Sequence, residues 1–312
     1  MGIIWSFITQ CFPPEPLFGV EDIPDQTGKV VVITGGNTGV GFETAKALLP
    51  KNARVYIACR SKEKAENAIV RLREATGREA IFMQLDLASL SSIEDAAELF
   101  LSQEKELHIL FNNAGVMEPD ANLLTADGYD LTVGTNVLGH YYFTKLLLPA
   151  LLAVSQNGPH KARVVTTASI ASQVPSSANY EAFRDGPLRK RLGVQILYAQ
   201  SKFLNVVFAT ELARRYGDKG IVSTSLNPGN IATDLQRTWT GAKRWLLSKL
   251  LYSAPMGALT GLYAATAKDA DEFNGAYFGP WARRFPPNPS TQKPEEGERL
   301  WGWLEEQVKK HS

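Results

Sequence analysis

The chain has 312 residues, of which 44% are hydrophobic and 21% are charged, a composition typical of a large globular unit with a substantial core. The formal net charge of +1 gives no indication of a nucleic-acid partner. Two cysteines, Cys11 and Cys59, and four scattered histidines do not form a disulfide framework or a metal site.

Residues 1–27 are predicted to form an apolar N-terminal arm that contains no Lys or Arg. Because it has no basic start, a signal peptide fits poorly. Pro13 and Pro14 break the apolar run too early for a helix that spans a bilayer. Gly2 with Ser6 matches an N-myristoylation pattern, and Cys11 is a candidate for acylation. Two interpretations stay open: the arm attaches to a membrane surface, or its aromatic side chains pack on the main domain. We expect an intracellular protein, either cytoplasmic or peripheral on a membrane or lipid-droplet surface.

The glycine-rich stretch KVVVITGGNTGVG, residues 29–41, predicts a buried parallel strand, a tight turn and the start of a helix. Gly35, Gly39 and Gly41 lack a Cβ, so main-chain N–H groups can approach an anion at the helix N-terminus. The pyrophosphate of a dinucleotide is the usual anion at such a turn. Taken alone, the stretch is also compatible with an ordinary glycine turn.

Strands and helices alternate along the rest of the chain. Strands are predicted at 30–33, 53–59, 80–85, 107–111, 163–167, 221–226 and 275–278. Helices are predicted from Ser61 to about residue 74 and at 89–102, 129–152, 195–216 and 298–309. This alternation predicts an α/β fold with a single Rossmann-type doubly wound parallel sheet, spanning 28–285. A small helical substrate lid is expected at about 233–255, and a linker with a terminal helix at 286–312.

Polar and glycine residues follow several predicted strands, at the edge where such a sheet binds its ligands. Asp86 follows the third strand, and the stretch NNAG, residues 112–115, follows the fourth. Ser169 follows the fifth strand, and Pro228 with Gly229 follows the sixth. Each alone is compatible with a strand cap or a turn, but their arrival at one edge favours a binding site.

The stretch YAQSK places Tyr198 and Lys202 one helical turn apart, on the same helix face. A phenol with a pKa near 10 is a poor acid–base group at neutral pH. An ammonium within about 4–6 Å favours the phenolate and lowers that pKa, which predicts a tuned proton donor for a carbonyl oxygen. The lysine is also suited to hold sugar hydroxyls. The motif by itself is common on helix surfaces.

The motifs TGGNTGVG, NNAG, TNVLGHYYFT, RVVTTASIA, YAQSK and NPGNIAT occur in order between about Gly28 and Phe278. In this combination the chain resembles the short-chain dehydrogenase/reductase family, in its standard-length branch. ACRSKEKA and TNVLGHYYFT look most like the NADP-using group around retinol dehydrogenases and their fungal relatives.

The resemblance implies a catalytic role for four residues. Tyr198 would be the acid/base, Lys202 would lower its pKa and bind the nicotinamide ribose, and Ser169 would hydrogen-bond the substrate oxygen. The family often has two serines where this chain has Ala168 and Ser169. We take Ser169, the second of these positions, as the catalytic serine, and Ser172 is the alternative. Residues 173–193 form an insertion that we expect at the pocket rim.

Asn136 completes the set implied by the resemblance, holding a water that links Lys202 to solvent. The alternative for Asn136 is a helix residue that bonds to its own backbone.

Charge favours NADP(H) over NAD(H) as the cofactor. NAD-using proteins tend to carry an acid at the end of the second strand, where this chain has Arg60 and Ser61. Arg60 can pair with a 2′-phosphate through charge-assisted hydrogen bonds, although it is also compatible with an ordinary solvated arginine. The cofactor-binding residues that we predict are Gly35, Asn37, Thr38, Gly39, Val40, Gly41, Arg60, Ser61, Asp86, Leu87, Asn113, Ala114, Gly115, Tyr198, Lys202, Pro228, Gly229, Ile231 and Thr233.

The stretch 234–257 is rich in Trp, Leu and basic residues, and in the family this region covers the substrate. An apolar pocket wall is predicted from Trp239, Trp245, Leu246, Leu250 and Tyr252. The same residues are compatible with helix core, or with a helix resting on a membrane that places at the headgroups Lys243, Arg244 and Lys249. We favour a lid over a hydrophobic ketone, aldehyde or secondary alcohol, such as a lipid, terpenoid or polyketide.

Two other classes of function stay open, a non-catalytic NADP(H)-binding protein on a membrane or lipid-droplet surface and a sugar-nucleotide epimerase. The resemblance also implies a homodimer that pairs through the helices at 129–152 and 195–216. The stretch RLWGWLEEQVKK, residues 299–310, is suited to cover either a partner or its own domain.

Overall fold

The computed structural model describes residues 9–232 and 251–309, and a mixed sheet runs through them. Its strands are β1 Val30–Thr34, β2 Arg54–Cys59, β3 Ile81–Gln84, β4 Ile109–Asn112, β5 Ala162–Thr167, β6 Ile221–Leu226, β7 Tyr277–Gly279 and β8 Arg283–Arg284. The spatial order is β3-β2-β1-β4-β5-β6-β7-β8, with the first seven strands parallel and β8 antiparallel to β7. The predicted doubly wound Rossmann-type sheet is therefore confirmed.

Helices cover both faces of the sheet. They are α1 Gly39–Leu48, α2 Lys62–Thr76, α3 Leu90–Gln103, α4 Leu131–Leu146, α5 Leu148–Asn157, α6 Pro187–Tyr216, α7 Ala254–Thr266 and α8 Pro294–Val308. The fully buried strand β1 shows the division, because Val30 and Val32 face α3, α4 and α6 while Val31 and Ile33 face α1, α2 and α7. Such a strand reads as a continuous apolar run, which is the pattern in the sequence.

The order of strands reverses between β1 and β4. Val31 of β1 pairs with Ile109 of β4 on one side and with Val55 of β2 on the other. The connections that leave β1 and β4 therefore diverge, and a crevice opens at the carboxyl ends of these two strands. The sequence analysis predicted that the polar and glycine residues following the strands lie at this edge of the sheet.

Two predicted helices differ from the observed ones. The helix predicted at 129–152 is divided into α4 and α5, which meet at 48°, because Pro149 lacks an N–H and its ring clashes with the preceding turn. The helix predicted at 195–216 begins earlier, at Pro187, and is broken at Gly193, whose φ of 75° is not helical. Part of the predicted insertion at 173–193 thus forms the first turns of α6.

Two elements were not predicted. The helix α7 is buried around most of its circumference, so it lacks the polar stripe from which an amphipathic helix is recognised. The strand β8 has only two residues, too few to show an alternating pattern.

The C-terminal helix α8 packs on its own domain. The ring of Trp301 lies 5.3 Å from that of Tyr141 and 6.4 Å from that of Phe208, centroid to centroid. Glu305 accepts from Lys145 Nζ at 2.7 Å. These contacts cover part of α4 and α6. The pairing of two copies through α4 and α6 stays a prediction. The domain limits given by the sequence analysis also stay a prediction.

The described part of the N-terminal arm also packs on the main domain. The ring of Phe18 lies 5.5 Å from that of Tyr263, and Gln10 is 1% exposed. Membrane attachment through the arm stays a prediction, and both residues of the myristoylation pattern, Gly2 and Ser6, lie outside the described ranges.

Within the described ranges, no single helix combines the length and apolar character needed to cross a membrane, although α4 and α5 taken as a bent pair meet that test. The same ranges hold no group of three or more His, Cys, Asp or Glu side chains arranged to bind a metal ion.

Replacing Trp301 with alanine should lower the free energy of unfolding by about 3–5 kcal/mol, since a large buried side chain is lost. The neighbouring change Gly302→Ala is the matched control. An added Cβ there meets nothing within 4 Å, so it should raise the free energy by up to about 1 kcal/mol. Urea unfolding measures both values, and a cost below about 1 kcal/mol for Trp301→Ala would contradict docking of α8 on the core.

Candidate active site

The glycine turn after β1 has the geometry that the sequence predicts. Gly35 has a φ of +69°, and a Cβ on Gly41 would lie 2.5 Å from the Gly35 carbonyl oxygen. Neither position accepts a side chain without strain or collision. α1 begins at Gly39 after Thr38, and the first N–H groups of a helix have no partner within it. The predicted residues 37–41 therefore form a concave N-terminus suited to an anion.

Thr34 joins this turn to the loop after β4. Its hydroxyl oxygen accepts hydrogen bonds from the main-chain N–H groups of Asn113 and Ala114, both at 2.9 Å. The side-chain amide of Asn113 donates to the Thr34 carbonyl oxygen at 2.9 Å, and its nitrogen would lie 2.7 Å from a Cβ on Gly41. Asn113 thus supports the glycine turn through its contacts with Thr34 and Gly41.

The structure brings Ser169, Tyr198 and Lys202 together beside Gly115. A side-chain hydrogen bond joins Tyr198 to Ser169, and Ser169 also accepts from the Ala171 N–H at 3.2 Å. Lys202 Nζ lies 5.8 Å from the centroid of the Tyr198 ring. It lies 3.6 Å from where a Cβ on Gly115 would be, so the absence of a side chain there keeps the crevice open to the ammonium.

Ser172, the alternative to Ser169, is 1% exposed and lies on the side of the buried Tyr277 instead, whose pKa its side chain helps to lower against the larger effect of burial. Ser169 is the serine that meets Tyr198.

Burial shifts the pKa values of both acid–base groups. It lowers the pKa of Lys202 to about 8. It raises the pKa of Tyr198, with the charge of Glu118 adding to the rise and the hydrogen bond from Ser169 opposing it. The sequence argument expected a lowered pKa for Tyr198. The difference arises because desolvation of the phenol is the largest effect on its pKa.

Asn136 ties three segments together. It lies in a π-helical stretch of α4, Gly134–Gly139, and its side-chain oxygen accepts from the Val116 N–H at 2.8 Å. Its amide nitrogen donates to the Val116 carbonyl and to Ser201 Oγ, both at 3.1 Å. The alternative of a bond to its own helix backbone is not what the structure shows. The predicted role of Asn136 in holding a water stays a prediction.

His140, one helical turn after Asn136, was not singled out from the sequence. One ring nitrogen lies 3.1 Å from the Asn136 carbonyl oxygen and the other 2.9 Å from the Thr34 hydroxyl. Burial, reinforced by the charge of Lys202, lowers the pKa of His140 to about 4, against a smaller opposing effect of the bond to Asn136. The neutral ring therefore donates to the Asn136 carbonyl and accepts from Thr34. Its side-chain partner Thr34 lies 106 residues away in the chain, so no local pattern marks this histidine.

The predicted adenosine side of the crevice lies along β2 and β3. Asp86 Oδ1 accepts from the Ala88 N–H at 3.0 Å, so this carboxylate shapes the turn after β3. Leu87 is buried there against Gly139. Ser61 caps α2 by accepting from a main-chain N–H at 3.3 Å, and the exposed Arg60 side chain has no ion pair among the described residues.

The loop after β6 forms the far wall. Gly229 has a φ of +89° and packs against Trp281. Asn230 and Ala232 exchange main-chain hydrogen bonds with Tyr252, at 2.7 and 2.9 Å. These bonds join the two ends of the segment 233–250. The predicted positions Thr233, Trp239, Trp245, Leu246 and Leu250, with the basic residues Lys243, Arg244 and Lys249, lie outside the described ranges.

The chain is similar to known proteins over most of its length. A family model described as short chain dehydrogenase matches residues 29–182. A short-chain dehydrogenase/reductase of Armillaria gallica is 54% identical over 309 residues, covering 99% of each protein. Retinol dehydrogenase 12 of Mus musculus is 39% identical over 277 residues, covering 88% of this chain and 84% of that protein.

Solved structures share the fold. A short chain dehydrogenase from Burkholderia cenocepacia in complex with NADP superposes with a TM-score of 0.65 at 26% identity, covering 83% of this chain and 98% of that one. A 3-ketoacyl-(acyl-carrier-protein) reductase from Brucella melitensis complexed with NADH gives a TM-score of 0.63 at 24% identity, covering 81% and 96%. At that identity, the second similarity shows the fold alone.

Acid should destabilise the protein through His140. The folded chain holds its pKa at about 4, against an ordinary value of 6.5, so the unfolded chain binds more protons between these values. The stabilisation by the neutral ring is complete above pH 6.5 and is lost as the pH falls toward 4, by about 3 kcal/mol.

Urea unfolding of wild type and His140→Asn between about pH 7 and pH 4 measures this effect. The variant should be less stable at neutral pH but should lose less stability on acidification. His160→Asn, at an exposed position, should follow the wild type. Parallel curves for wild type and His140→Asn would contradict the assignment.

Proposed function

This chain belongs to the short-chain dehydrogenase/reductase family, and from that premise we propose that it is an NADP(H)-dependent oxidoreductase. It reduces a hydrophobic ketone or aldehyde, or oxidises the corresponding alcohol. The observation that carries the proposal is the meeting of Ser169, Tyr198 and Lys202 beside Gly115 in the crevice between β1 and β4.

The residues present fit a nicotinamide dinucleotide. The turn around Gly35 and Gly41 is a cradle that a Cβ would fill, and its helix N-terminus suits a pyrophosphate. Lys202 Nζ donates to the Thr167 carbonyl oxygen at 3.0 Å. An ammonium has three N–H donors, so Lys202 retains capacity for the ribose hydroxyls.

Proton transfer is the step that the chain's own residues carry. A nicotinamide held in this crevice would supply hydride to the carbonyl carbon in reduction and would accept it in oxidation. Tyr198 gives its proton to the carbonyl oxygen, and Ser169 stabilises the charge that develops there. Burial raises the pKa of Tyr198, so the phenol stays protonated at neutral pH, which is the form that reduction requires.

Charge at the end of β2 supports NADP(H) over NAD(H). The strand ends at Cys59, followed by Arg60 and Ser61 with no carboxylate to repel a 2′-phosphate. The exposed guanidinium of Arg60 is available for such a phosphate, and the relative from Burkholderia cenocepacia is described with NADP.

Apolar side chains near the site support a hydrophobic substrate. Val174, on the segment after Ser169, is 74% exposed. Tyr252 packs on Trp281 at 5.0 Å between ring centroids, at the end of the lid segment. The similarity to a retinol dehydrogenase agrees with this substrate class.

Substituting phenylalanine for Tyr198 should lower kcat/KM by about 100-fold or more, because the variant has no proton to give to the substrate oxygen. NADPH oxidation, followed by absorbance against a panel of apolar ketones and aldehydes, measures the loss. Tyr216→Phe, on the same helix but at its far end, should keep full activity.

A Tyr198→Phe protein that retains most of its turnover would contradict the proposed mechanism. Wild-type protein that binds NADPH but turns over nothing on the panel would instead favour the non-catalytic alternative. Turnover of nucleotide sugars would favour the epimerase.

Replacing Arg60 with alanine should reduce the preference for NADPH over NADH by about tenfold to 100-fold, since a charge-assisted bond to the 2′-phosphate is lost. The ratio of the two kcat/KM values measures the preference. Arg73→Ala is the control, because Arg73 lies at the far end of α2 in an exposed pair with Glu79. Wild-type protein that uses both cofactors equally well would contradict the assignment.

A further inference from the structure

The N-terminal arm places one buried polar side chain under the loop after β6. Gln10 is 1% exposed. Its side-chain oxygen accepts from Asn227 Nδ2 at 3.1 Å and from the Tyr277 hydroxyl at 3.3 Å. Asn227 is 217 residues away in the chain, so this contact forms only in the folded protein.

Asn227 in turn shapes the loop. It is the first residue after β6, and its N–H donates to the Phe278 carbonyl at 2.8 Å. Its side-chain oxygen accepts from the Gly229 N–H at 3.1 Å, a bond that folds Pro228 and Gly229 into a tight turn. The oxygen of the Asn227 side-chain amide therefore bonds to the turn, and its nitrogen bonds to Gln10.

The arm is held at other points as well. Cys11 hydrogen-bonds the Asn230 side chain, and Arg283 donates to the Glu15 carbonyl at 2.6 Å. Phe18 packs in the core. Loss of the Gln10 oxygen should therefore act on the loop while the arm stays in place.

We propose that Gln10 is a positioning residue, through which the N-terminal arm fixes Asn227 and the Pro228–Gly229 turn in the form that receives the nicotinamide end of the cofactor. Without an acceptor at position 10, the Asn227 amide nitrogen is left buried and unpaired, and the amide must turn to find a partner. That rotation removes the bond to Gly229. The identity of the ligand rests on the proposed function, whereas the link between arm and loop does not.

Three variants test the link. Gln10→Met keeps the length of the side chain and removes the acceptor, and Gln10→Glu keeps acceptor oxygens for both donors. Phe12→Ala, on the same arm, changes a side chain that is 63% exposed and serves as control. Hydrogen exchange of the peptide spanning 225–232 in the unliganded protein reports on the loop, and titration with NADPH reports on the site.

The expected result is faster exchange confined to 225–232 in Gln10→Met, with the Kd for NADPH raised about tenfold. Phe12→Ala should stay within about twofold of wild type, because its side chain is exposed. Gln10→Glu should exchange more slowly than Gln10→Met in 225–232, because its oxygens still accept from Asn227 and Tyr277. Unchanged exchange in Gln10→Met, or faster exchange spread evenly over the chain, would overturn the proposal. If Gln10→Met does not fold, Gln10→Asn, whose amide is one methylene shorter, is judged by the same criteria.

Failure of the proposed function has a different signature. In that case wild-type protein binds no NADPH, while the local change of exchange in Gln10→Met still supports the link between the arm and the loop.

Discussion

The hydroxyl of Thr34 is the point on which the crevice depends. It lies at the carboxyl end of β1, fully buried, and accepts the N–H groups of Asn113 and Ala114. A buried main-chain donor without an acceptor is costly, so this hydroxyl sets how the loop after β4 leaves the sheet. Through His140 the same hydroxyl is connected to α4. The Thr34 hydroxyl oxygen thus connects the strand that precedes the glycine turn to the loop after β4 and to α4.

Hydrogen bonds extend this connection to the acid–base residues. From His140 the bonds pass to Asn136, then to Ser201 Oγ, which donates to the Tyr198 carbonyl at 2.8 Å. These hydrogen bonds connect α4 to the part of α6 that carries Tyr198 and Lys202, and so they help to fix where both side chains lie. Their burial lowers the pKa of the lysine to about 8 and keeps the phenol protonated. An anionic ligand in the crevice would favour the charged ammonium.

Local patterns predicted the fold and the elements that carry the candidate site, and long-range contacts account for what they missed. The apolar strands, the glycine turn and the pair Tyr198 and Lys202 each have a signature within a few neighbouring residues, and the structure places them as expected. His140 and Gln10 lack such a signature, because their partners lie 106 and 217 residues away in the chain. The direction of the pKa shift of Tyr198 was also predicted wrongly. Desolvation depends on how the side chain is packed, and the spacing of residues along a helix does not give that information.

The main-chain clasp between Tyr252 and the residues Asn230 and Ala232 separates two kinds of sequence change. Because only backbone groups form it, replacements within 233–250 leave both anchor points unaltered. The crevice and the stretch between these anchor points can then diverge independently. In related chains, residues 233–250 are free to differ while the main-chain bonds that flank them stay the same.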